Sequence, residues 1–117
     1  MKAPIDIPKH VFTVLNQVFE LERKLSGLND SMKFDRSLAK LREAFDSQEM
    51  QFIIENPLHQ RYDITRTDVV ATISSSEHDE LVITEVLKPV IKVTSNGVSR
   101  IIQKGVVIAG LPNAESQ

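Results

Sequence analysis

Three histidines and one acidic run are the residues best suited to chemistry in this chain. His10, His59 and His78 lie far apart, with no carboxylate or second histidine at metal-ligand spacing. A zinc or iron site needs several such donors converging on one ion, so none is expected. Glu77, His78, Asp79 and Glu80 are adjacent, but neighbours on a turn do not converge on a cation unless glycines and alternation bend them, as in a calcium loop. They read as a solvated turn. Ser74, Ser75 and Ser76 have no base at a recognisable spacing and no nucleophile elbow around them. No glycine-rich phosphate cradle is present. With no cysteine in the chain, disulfides, thiolate metal sites and cysteine nucleophiles are excluded. With no Trp and one Tyr, a deep aromatic pocket is not expected. The expectation is a protein without cofactor, metal or catalytic residue, which works by binding another protein.

Four cations then stand out in the last third: Lys88, Lys92, Arg100 and Lys104. Three lysines on a sheet read as solvation. Arg100 differs, because it interrupts the apolar run 98–102. A planar guanidinium there can grip a partner's carboxylate with two parallel bonds, or it can protect an edge strand by its charge. The net charge of −2 gives no clustered excess of Lys and Arg for phosphate backbones, so nucleic acid is not an expected partner. No apolar run approaches the roughly 20 residues that span a bilayer. The N-terminus has no apolar signal segment, so a cytoplasmic location is expected.

These side chains must be held by two different halves. Residues 1–10 read as a flexible lead-in, with Pro8 suited to the first turn of a helix. Val11, Val14, Val18, Leu21, Leu25 and Leu28 follow at steps of 3, 4, 3, 4 and 3, a heptad seam. Phe12, Leu15 and Phe19 widen it, and Gly27 with Asn29 and Asp30 stops the helix. A second helix is predicted over 34–49, with Phe34, Leu38, Leu41 and Phe45 on one stripe. The short link 29–33 makes the pair antiparallel. Two such broad stripes cannot hide in each other. A second copy completing a four-helix bundle covers them, with Val11, Val14, Val18, Leu21, Leu25, Leu38, Leu41 and Phe45 in the dimer interface. The chain's own sheet is the alternative cover.

The second half, 51–110, is predicted as strands. A short strand is placed at 51–54 and a polar loop at 55–68 anchored by Leu58, Tyr62 and Ile64. A strand at 69–73 is followed by a polar excursion at 74–80. Three β-branched runs, 81–87, 90–93 and 98–109, then form a compact antiparallel sheet. Lys88-Pro89 makes the first junction, and Lys104-Gly105 interrupts the last run. Asn96-Gly97 between apolar runs is a strong hairpin signal, since both residues tolerate the positive φ of a type I′ turn. Residues 111–117 read as a flexible tail. The fold class is therefore α+β, with two short antiparallel helices leading into a small, mainly antiparallel sheet domain.

In order, these residues resemble the GrpE family, nucleotide exchange factors of DnaK-type chaperones. Asn56-Pro57 opens the loop as in that family's β-wing. Tyr62-Asp63 stands at its Phe-Asp, and Thr67-Asp68-Val69-Val70 at its His-Glu-Ala-Val. Thr84-Glu85-Val86-Leu87 stands at Val-Glu-Val-Leu and Ile91-Lys92-Val93 at Tyr-Lys-Leu. Ser99-Arg100-Ile101-Ile102 stands at Gly-Arg-Val-Leu, and 106–109 at the closing strand. The likeness runs from about Val11 to Gly110. It departs at Pro89-Val90, at Gln103-Lys104-Gly105 and at Thr67-Asp68, and Asn96-Gly97 falls two residues late. It is to a short form, since only about ten residues precede the first helix and the long N-terminal coiled coil is lacking. The resemblance implies a homodimeric co-chaperone whose β-wing binds the chaperone's ATPase domain and promotes ADP release. By that match Arg100 is the first partner-binding residue, with Lys88 and Lys104 beside it. A dimeric adaptor that has lost exchange and binds another protein is the alternative.

Overall fold

A proline starts the first element. Pro8 caps α1 (Lys9–Leu25) without any side-chain bond, and its carbonyl accepts from the Val11 N–H at 3.0 Å. Its fixed φ suits the entry to a helix, where a missing N–H matters least. Arg23 and Lys24 occupy the last turn, where cations favour the carbonyl end. The computed structural model describes residues 6–26, 32–74 and 80–112. The expected stop at Gly27, Asn29 and Asp30, the seam position Leu28, most of the 29–33 link, residues 75–79 and 113–117 lie outside them. So do Ser75, Ser76, Glu77, His78 and Asp79.

The chain divides into two units, Met1–Phe52 and Ile53–Gln117. In the first, α1 packs against α2 (Met32–Glu43). Their sense is antiparallel: the His10 ring at the start of α1 meets Phe45 beyond the end of α2, with centroids 5.9 Å apart. Leu25 and Ser26 share a cleft with Asp35 and Leu38 at the other end. The buried stripe on α1 is Val11, Leu15, Val18 and Phe19. It is therefore rotated from the expected heptad seam toward the flanking residues Leu15 and Phe19.

Helix α2 is shorter than the predicted 34–49. It ends at Glu43 because Asp46 and Ser47 take backbone donors into their side chains. Asp46 Oδ1 accepts the Phe52 N–H at 2.9 Å, and Ser47 Oγ accepts those of Glu49 and Met50. Short polar side chains compete with helical bonding in this way and turn the chain.

Six strands follow: β1 (Met50–Glu55), β2 (Val69–Ile73), β3 (Val82–Lys88), β4 (Val90–Ser95), β5 (Val98–Gln103) and β6 (Gly105–Gly110). They form two three-stranded sheets, ordered β1-β4-β5 and β2-β6-β3, not the single sheet expected. The single residues Pro89 and Lys104 carry the chain from one sheet to the other. Pro89 has no N–H to continue the β3 ladder, which makes it a natural exit. The pairing is mainly antiparallel, but β2 runs parallel to β6. The β4–β5 turn is the expected one, with Asn96 at φ 56° and Gly97 at φ 76°. Val69, Leu81, Ile83, Val86, Val90, Ile91, Val93, Val107 and Ala109 form the core of this unit. No helix among the described residues is long and apolar enough to cross a membrane.

Candidate partner-binding surface

Pairing register decides which side chains can meet a partner. Across the β2-β6-β3 sheet one row is Ala71–Val107–Val86 and another is Ile73–Ala109–Ile83. The β6 and β3 members of both rows are buried. The alternate rows, Val70–Val106–Lys88 and Thr72–Ile108–Glu85, share the opposite face. There Val70 is 56% exposed, Val106 and Ile108 are half-buried, and Lys88 and Glu85 are exposed. The result is an open sheet face with an apolar centre and charged margins. Apolar centres with charged rims are the usual anatomy of a protein interface.

Lys88 stands on that face. Lys104 lies beside it, because the two crossovers run side by side. Gln103 Nε2 donates to the Pro89 carbonyl at 3.0 Å, and the Lys88 carbonyl lies 3.3 Å from where a Cβ on Gly105 would sit. Arg100 is not part of this group. It sits on β5 opposite Val93, which is fully buried, and four residues up the strand from Lys104, or about 13 Å along it. Arg100 is half-buried and already engaged in an interaction of its own. The sequence singles out Lys88 and Lys104 but gives no sign that Val70, Val106 and Ile108 share a face with Lys88. The alternation within β6 was visible, but its parallel pairing with β2 was not.

In the helical unit the residues expected at a dimer interface separate into three groups. Val11, Val18 and Leu38 are buried within the chain, and Val14, Leu25 and Phe45 are half-buried. Leu21 and Leu41 remain 43% and 42% exposed, together with Phe34 at 40%.

The 55–68 loop is more ordered than its polarity suggests. His59 and Tyr62 donate their N–H groups to the carbonyls of Ile83 and Leu81, each at 2.8 Å, and Ile83 donates back to Gln60 at 2.9 Å. Pro57 is fully buried, and Leu58 and Tyr62 are half-buried as expected of anchors. Ile64 is not an anchor, being 89% exposed. Polar groups hold that stretch instead. Asp63 Oδ1 accepts both the N–H and the hydroxyl of Thr65. Arg66 grips Asp68 with two bonds, Nε to Oδ1 at 3.0 Å and Nη2 to Oδ2 at 2.7 Å. On the neighbouring strands Lys92 pairs with Glu55 at 3.1 Å.

The Asp63 carboxyl is held below its ordinary pKa by the Thr65 hydroxyl and N–H, and that of Asp68 by the Arg66 guanidinium, with Lys92 adding to it. A carboxyl whose folded pKa is depressed contributes stability above its unfolded value, about 3.9. That contribution is lost as the pH falls through the lower folded value. The loop is therefore expected to loosen below about pH 4. In acid titrations followed by circular dichroism, Asp68→Asn should show a shallower loss of stability between pH 4 and 2 than the parent. An identical slope would remove Asp68 from the account.

Among the described residues no group of three His, Asp or Glu side chains could hold a metal ion. No family model, curated protein or solved structure matches the chain.

Proposed function

We propose that this chain is a GrpE-like co-chaperone, which docks its sheet unit on the ATPase domain of a DnaK-type chaperone and promotes ADP release. The observation that carries the reading is the order of parts. Two amphipathic helices with exposed apolar remainders lead into a six-stranded unit whose open face presents Val70, Val106 and Lys88. Helices before a strand-rich unit is the order the sequence resemblance implies, and the open face of Val70 and Val106 is an addition to it. The helices serve homodimerisation and the open face serves the partner. Exchange requires tighter binding to the open ATPase domain than to the closed one, since equal contact in both shifts nothing. Lys88 and Lys104 are the cations beside the docking face, and Arg100 is carried over by its place in the motif. A cytoplasmic location belongs to the same proposal.

The reading is tested by the release of a fluorescent ADP from a DnaK-type chaperone, with and without this protein. Acceleration is expected, and none at high micromolar protein would sink it. Lys88→Glu and Arg100→Ala should each lower the acceleration at least tenfold, about 1.4 kcal/mol of differential binding. The adaptor reading is favoured by one observation, the half-burial of Arg100 opposite Val93. It predicts that the chaperone binds with unchanged ADP release, or that it does not bind at all.

A further inference from the structure

We propose that residues 59–67 are a strap, able to open from the β3 edge as one unit while the sheet stays folded, with Arg66, bonded to Asp68 just outside it, as its latch. The proposal rests on the geometry of the loop alone and is independent of the chaperone reading.

The path of the chain defines the strap. Arg61 bridges to Val82 on the edge of β3 that faces away from β6. Seven residues later Asp68 leads into β2, at the opposite edge of the same sheet. The chain must therefore cross from one edge to the other between them. Both ends of the crossing are fixed. Upstream, Pro57 is fully buried and Asn56 Oδ1 accepts the Leu58 N–H at 3.1 Å. Downstream, the Asp68 carbonyl accepts the Gly105 N–H at 2.9 Å.

Beyond Tyr62, which is half-buried, little apolar surface holds the strap. Asp63, Ile64, Thr65 and Thr67 are all exposed. One guanidinium takes the place of a hydrophobic anchor. Two of its donors close on the Asp68 carboxylate, which belongs to the fixed end, and Nη1 donates to the Arg61 carbonyl at 3.0 Å. Arg66 thus ties the middle of the strap to both the β3 bridge and the start of β2. Segments with few buried apolar contacts and exposed backbone bonds open at lower free energy than the sheet beneath them. Opening would free the carbonyls of Leu81 and Ile83 and the N–H of Ile83 along one strand edge. Such a row of unpaired groups is what an extended segment pairs with.

Amide hydrogen exchange on the intact chain, read residue by residue by NMR, tests this. The amides of His59, Tyr62 and Ile83 should exchange together, at least tenfold faster than those of Val107 and Ala109 in the central strand. Arg66→Ala should speed those three at least a further tenfold and leave Val107 and Ala109 within twofold. Arg66→Lys keeps the charge but loses the fork, and should behave as Arg66→Ala does. The proposal fails if the three amides exchange at unrelated rates or at the rate of Val107, if Arg66→Ala accelerates both sets equally, or if lysine restores the parent rates. The comparison within the unmutated protein decides whether the strap opens as one unit even where a variant does not fold, and Arg66→Ala and Arg66→Lys decide the latch.

Discussion

Gly105→Val is expected to be among the most damaging single substitutions in the sheet unit, lowering the melting midpoint by roughly 10–15 °C. Gly105 opens β6 at the point where both crossovers meet, and it is buried. A Cβ there would lie 3.0 Å from Val90 Cγ2, 3.2 Å from Val69 Cγ1 and 3.3 Å from the Lys88 carbonyl. One of these contacts is backbone, and the other two belong to β-branched side chains with few alternative rotamers. The strain cannot relax cheaply, and overpacking of this kind costs about 2–3 kcal/mol. Gly97→Ala is the control. Nothing lies within 4 Å of its Cβ position, and only the φ of 76° resists substitution. That penalty is about 1 kcal/mol. Thermal melts that rank the two equally would show that the crossover is looser than its geometry implies.

The same crossover marks the limit of what the sequence conveys. The strands at 69–73, 81–87 and 90–93 were legible because their β-branched runs are bounded by turn residues. Asn96-Gly97 named its own turn. The splitting of these strands into two sheets was not legible, because Pro89 and Lys104-Gly105 mark only that a strand ends. Where the chain goes next is decided by Val69 and Val90 closing on Gly105, contacts 36 and 15 residues apart in sequence. The helical half shows a related limit. Heptad steps identified an apolar stripe, but Leu15 at 0% and Phe19 at 4% exposure show that the stripe is wide and that its flank is what the chain buries. Periodicity gives the width of a face and leaves open which part of it a partner covers. In the sequence the strap reads as a polar loop, because its restraints are Arg66–Asp68 and Asp63–Thr65, pairs that composition counts only as solvation.

Leu21→Asp is expected to dissociate the proposed homodimer while leaving the fold of each copy intact. The structure separates these two effects. Leu15 is completely buried and Leu21 is 43% exposed, although both are apolar and six residues apart on α1. A carboxylate at Leu15 has no water and no partner, so Leu15→Asp should unfold the helical unit. A carboxylate at Leu21 stays hydrated in a single copy and is penalised only when a second copy covers it. In a two-fold symmetric interface each substitution acts twice. The dimer dissociation constant should rise at least a hundredfold, about 2.8 kcal/mol. Leu41→Asp should act in the same direction, since Leu41 is 42% exposed on α2. Sedimentation at tens of micromolar reads the assembly, and far-ultraviolet circular dichroism reads the fold. A parent protein that sediments as a monomer would refute the dimer. A Leu21→Asp variant that stays dimeric would place the interface elsewhere, and one that loses its helices would mean that Leu21 supports the fold of the single chain.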